Sequence, residues 1–140
     1  MTGHKTTFAQ GLGIASVIGG ALASLHSLRE TSGHITDDAY KTADVPQGEG
    51  HVAYHLAREA FTTAGAVTAA VGSAVATGRG DAQAWFPLAA SATGYLAGQW
   101  SGKATAGSWA PSGRALAWHV GTSVLFLSGV LLLHPPRRRP

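Results

Sequence analysis

Four apolar stretches rich in small residues, at about 8–28, 51–77, 82–101 and 113–134, are separated by polar connections along this chain. At about 1.5 Å per helical residue, stretches of this length suit a bilayer hydrocarbon core roughly 30 Å thick. Only 12% of the residues are charged and glycine supplies 19 positions, whereas an average soluble domain is about 25% charged. These features predict an all-α fold: a four-transmembrane-helix antiparallel bundle with a long polar first loop, built as a single membrane domain over residues 1–140. Mean hydropathy is a modest +0.10, because the spans use Ala, Gly, Ser and Thr and the first loop is polar. A soluble four-helix bundle with buried helices is the alternative fold.

The punctuation between the stretches supports this division. Thr6 or Thr7 can cap the first span. Ala21-Leu22-Ala23 resembles a signal-peptidase site, but Lys5 alone makes a weakly basic start, so a retained span is expected. Asp37 and Asp38 suit the start of a short interfacial helix through Lys41; as half of an aspartate-rich diphosphate motif they are weak. The turn Gly78-Arg79-Gly80-Asp81 is short enough to make the second and third spans antiparallel neighbours, with Asp81 as a helix cap rather than part of an integrin-type tripeptide. Pro87 predicts a kink or a late start to the third span. Gly94, Gly98 and Gly102 repeat every four residues, a stripe suited to close helix packing within the chain or to a homo-oligomer. Ser112 can cap the fourth span, and Pro135 and Pro136 end it.

Charge narrows the partners. The formal net charge of +3 reflects the run Arg137, Arg138 and Arg139, a membrane-flanking anchor that predicts cytoplasmic termini. Basic residues are not spread over a face with aromatic readers, so no nucleic-acid partner is expected. Without cysteine there is no disulfide, thiolate nucleophile or cysteine-held metal.

Connectivity then concentrates the unusual polar residues. With four spans, the end of the first, the start of the second, the end of the third and the start of the fourth share the long-loop side. That side collects His26, His51, His55, Glu59, Lys103, Arg114 and His119, with Trp100, Trp109 and Trp118. His51, His55 and Glu59 are four apart and form one helix stripe, with Tyr54 and Arg58 in neighbouring turns. The stripe admits three readings. Glu59 and a histidine form a proton-transfer pair. His51, His55, Glu59 and His119 hold zinc or iron. Or the stripe is a solvated helix end with Glu59 paired to Arg58 or Arg114. His119 stands out because it lies more than a turn inside an apolar span, where ionisable groups usually face the bundle interior. His4 and His134 fall at the opposite side.

The layout of four short spans, a long polar first loop and His51-x3-His55 leading into the second span resembles that of small bacterial four-helix membrane proteins of the DoxX-like kind and of small membrane isomerases and terpene cyclases. That resemblance implies an integral protein of a bacterial inner membrane and carries over no residue role. The leading expectation is a membrane enzyme acting on a lipophilic substrate by general acid/base chemistry of the isomerase or cyclase type, without a cofactor. Its catalytic residues would be Glu59, His55, His119 and His26, and its substrate-binding residues Trp100, Trp118, Tyr54, Gln99 and Arg114. A His/carboxylate metal protein serving redox chemistry or ion passage is one rival. A non-catalytic accessory subunit of a membrane complex is the other.

Overall fold

A computed structural model of the chain describes residues 6–41, 46 and 50–136. His4, Lys5 and residues 137–139, on which the orientation reading leans, lie outside the described residues. Among the described residues five α-helices form: α1 Phe8–Thr36, α2 Gly50–Gly78, α3 Trp85–Trp100, the short α4 Gly102–Ala106 and α5 Gly113–Leu132. No strand occurs among the described residues. Three helices, α1, α2 and α5, are long and apolar enough to cross a membrane. At 16 residues, α3 is shorter.

Local chemistry sets the helix ends. Thr7 caps α1 by accepting from the Gln10 N–H at 3.2 Å, while the Gln10 side chain accepts from the Thr7 N–H at 2.8 Å, a reciprocal capping box. The helix does not stop at Leu28, where the apolar stretch ends, but runs two turns further to Thr36. Asp37 caps a single 3-10 turn at Asp38–Tyr40, with Lys41 as its C-cap, where the short interfacial helix through Lys41 is expected. In that turn the neighbouring Lys41 ammonium, hydrogen-bonded to Asp38, holds the Asp38 carboxyl below its ordinary range.

The α2–α3 connection is a complete Schellman closure: the Asp81 N–H reaches the Ala76 carbonyl at 3.1 Å and the Gly80 N–H the Thr77 carbonyl at 2.9 Å. Gly80 supplies the required left-handed backbone, with φ 103°. Asp81 caps the 3-10 turn Ala82–Ala84, and α3 begins only at Trp85, so Pro87 sits in its first turn as a late start rather than a kink. Ser112 caps α5.

The four long helices alternate in direction, with α1 packed between α2 and α5, and α3 closing against α2 and, more thinly, α5. Near the short turn the packing is tight. A methyl group at Gly20 would lie 3.1 Å from the Phe126 ring, and one at Gly129 would lie 3.0 Å from the Gly13 carbonyl and press on Val17. The core there joins Val17, Ala70, Ala74, Leu88, Ala92 and Phe126. Large apolar side chains point outward instead: Phe8 is 88% exposed and Phe61 82%, and Leu22, Phe86 and Leu131 are also exposed. A core shared by small residues and a few large ones, with many large apolar side chains outside, suits a bundle surrounded by lipid, where no hydrophobic force gathers every bulky group inward.

Candidate functional site

At the long-loop end the helices part around a cavity of about 1330 Å³ to which all four contribute. Ligand pockets commonly enclose about 300–1,000 Å³, so this one can hold a substantial molecule. His26 and His34 line it from α1, His55, Arg58 and Glu59 from α2, Tyr95 and Gln99 from α3, and Arg114, Trp118 and His119 from α5. Of the residues singled out in the sequence, His26, His55, Glu59, His119, Trp118, Gln99 and Arg114 therefore line one cavity. His51, Tyr54 and Trp100 do not line it. His134 packs on Trp85 at the opposite end, ring centroids 4.7 Å apart.

The α2 stripe forms a short relay. Arg58 Nη2 lies 3.4 Å from His55 Nδ1, and His55 Nε2 lies 3.1 Å from His51 Nε2. Arginine has only donors, so it assigns His55 Nδ1 as the acceptor. The His55 proton then sits on Nε2 and is donated to His51 Nε2, which leaves the His51 proton on Nδ1. Tyr54 stands outside the cavity, edge-on to His55 at 5.3 Å. Glu59 pairs with neither Arg58 nor Arg114, and among the described residues it has no hydrogen-bond partner. Its carboxylate is thus uncommitted on the cavity wall.

Other rings shape the mouth and the rear. His26 packs on Trp118 at 5.1 Å, and His34 stacks on Tyr40 at 3.9 Å, folding the 3-10 turn back over the cavity. Trp100 lies behind His119, edge-on at 5.7 Å. Its indole N–H donates to Ser123 Oγ at 2.9 Å, so it joins α3 to α5 instead of forming a wall.

Tyr95 was not anticipated. Its ring rests on Phe126 at 5.5 Å. Its hydroxyl, both amide atoms of Gln99 and His119 Nδ1 are buried without a hydrogen-bond partner. Ser24 and Ser27 stand near the Tyr95 hydroxyl, and the Trp109 backbone near the His119 ring, without reaching hydrogen-bond geometry at these atoms. Leaving such groups unpaired costs about 1–3 kcal/mol each. A signal existed: Tyr95 and Gln99 are the polar pair at i, i+4 on an otherwise small and apolar helix.

No protein-family model, curated protein or solved structure matches this chain. The site stands on its own geometry. Among the described residues, no three His, Asp or Glu side chains converge as metal ligands. His51, His55, Glu59 and His119 thus do not form a ready ligand set.

Proposed function

We propose that the chain is a four-span membrane enzyme that moves a proton on a lipophilic substrate held in this cavity, an isomerase or cyclase type of reaction. The observation that carries the reading is that Glu59, His26, His55 and His119 all line one cavity large enough for a substrate. Glu59, free of ion pairs, takes a proton from a C–H bond or delivers one to a double bond. His55 and His119 serve as its proton partners and exchange protons with solvent, so that the proton returned at another carbon comes from water. Such a reaction needs no external oxidant or cofactor. Trp118 and Arg114 position the substrate, and Gln99 supplies hydrogen bonds.

The four-span topology has support in length. The 3-10 turn Ala82–Ala84 leads straight into α3, and together they reach about 30 Å at about 2.0 and 1.5 Å per residue. The resemblance in layout to small bacterial membrane isomerases and cyclases favours a bacterial inner membrane, and the run Arg137, Arg138 and Arg139 favours cytoplasmic termini.

The test uses the purified chain in lipid nanodiscs, incubated with a total lipid extract in deuterated water. One lipophilic species should gain deuterium, and Glu59→Gln should abolish the gain. If no species gains deuterium, or the variant retains it, the enzyme reading is wrong.

A further inference from the structure

Histidines elsewhere in the bundle pack their rings on tryptophan or tyrosine: His26 on Trp118, His34 on Tyr40, His119 on Trp100 and His134 on Trp85. His51 and His55 differ, because their ring nitrogens face each other. They sit four apart in the first turns of α2, so both side chains leave the same helix face. Their rings are nearly perpendicular, at 79° with centroids 4.5 Å apart, and the two Nε2 atoms lie 3.1 Å from one another. His55 is exposed and His51 partly so, which leaves the pair open to water.

That separation matches the bite of a chelate. Imidazole nitrogens hold zinc at about 2.0–2.1 Å, so two of them at the observed spacing subtend about 95–102° at the ion, and opening the pair by about 0.2–0.3 Å reaches the tetrahedral angle. The terminal histidine torsion is soft, so each ring can turn its Nε2 lone pair toward one point beside the line joining the two nitrogens. Chelation replaces the hydrogen bond between the rings: two waters leave the ion, the His55 proton passes through solvent from Nε2 to Nδ1, and Arg58 turns away from Nδ1. The positive start of α2 and the Arg58 charge both oppose a cation, but water and salt screen them at an exposed site. Neutral imidazoles select zinc, copper or nickel over the oxygen-seeking magnesium and calcium. Among the described residues no third His, Asp or Glu converges on the pair, so water fills the remaining positions and the ion is exchangeable.

We propose that His51 and His55 chelate one divalent transition-metal ion of the zinc and copper class through their Nε2 atoms, in an exchangeable site at the start of α2. A bridge across one turn also holds that turn helical, since the two rings meet only when the turn is formed. The ion takes Nε2 of His55 out of proton exchange, so its occupancy opposes the reaction assigned to the cavity. That last consequence alone rests on the acid/base reading; the binding does not.

Calorimetric titration of zinc and copper(II) into the chelator-treated full chain, purified in detergent without a polyhistidine tag, tests this. One zinc ion should bind per chain, copper(II) should bind more tightly, and excess magnesium or calcium should not compete. His51→Ala and His55→Ala should each weaken zinc at least about tenfold, since loss of an outer-shell partner alone costs about 10–100-fold. His134→Ala, at the other end of the bundle, should bind as the wild type does. Arg58→Leu should tighten zinc, because the Nδ1–H form of His55 is then reached without displacing the guanidinium. The electron paramagnetic resonance spectrum of the copper-loaded wild type needs no variant and should show coupling to two imidazole nitrogens. No one-to-one site, coupling to a single nitrogen, or unchanged zinc affinity in both alanine variants would overturn the proposal. The site and the enzyme reading fail separately, because a chain that exchanges no deuterium can still bind zinc, and one that binds no zinc can still exchange deuterium.

Discussion

The Trp100 indole N–H donates to Ser123 Oγ at 2.9 Å, and the same hydroxyl donates to the His119 carbonyl at 2.8 Å. A tryptophan at the end of α3 thereby fixes the turn of α5 that presents His119 to the cavity. Trp100→Phe keeps the ring and removes the donor, so it should lower stability by about 1 kcal/mol. Ser123→Ala should cost a similar amount. The double variant should lose less than the sum, because both act on one hydrogen bond. Denaturant unfolding of the detergent-solubilised protein measures all three, and strict additivity would show that the bond carries no coupling.

Glycines of this chain should respond in opposite ways to one added methyl group. Gly129→Ala drives a side chain into Val17 and the Gly13 carbonyl, so it should destabilise by about 1–3 kcal/mol. Gly94→Ala meets open space and should stabilise by up to about 1 kcal/mol through helix propensity. Thermal unfolding of the pair checks the contrast; equal responses would contradict the packing described.

Gly80 carries a left-handed backbone in the Schellman closure between α2 and α3. Gly80→Ala should cost about 1–2 kcal/mol, the usual penalty for an L side chain there, and Gly80→Asn less. The ranking can be read from melting temperatures alone.

The relay on α2 makes a spectroscopic prediction. Nitrogen-15 shifts of the imidazoles should report the proton on Nε2 of His55 and on Nδ1 of His51. Arg58→Leu removes the group that faces His55 Nδ1, and His55 should then populate both tautomers. An unchanged spectrum would mean that the arginine does not select the tautomer.

Much of the scaffold was legible because it rests on local chemistry. Asp81 and Ser112 cap where a short polar side chain precedes an apolar run, and Pro87 delays a helix it cannot enter. The end of α1 was not legible at Leu28, because apolarity marks where lipid could end and says little about where helical hydrogen bonding ends. Arg29 and Glu30 continue the helix without difficulty. The glycines were harder still. Periodicity singled out Gly94, Gly98 and Gly102, yet the close approaches between helices fall at Gly13, Gly20, Gly78 and Gly129, while Gly102 closes only on the nearby Ser108 carbonyl, since spacing on one helix does not say which face another helix covers.

The candidate site follows the same division. Connectivity placed His26, His55, Glu59 and His119 at one end, and a bundle of alternating helices makes that grouping almost unavoidable. Trp100 and Tyr54 were close in sequence to the wall but turned from it, because the direction of a side chain depends on helix rotation. Rotation is set by packing at the far end of the bundle, where Gly20 meets Phe126 and Gly129 meets Val17.

Four rods pressed together at the root and parted at the tips form a fork. Bending at the root is resisted by glycine-to-side-chain contacts with no slack, so displacement grows with distance toward the long loops. Backbone amides near Gly20 and Phe126 should exchange last, and those near His26 and His119 earlier. Spreading at the tips would cost little and would leave the rods in register at the root.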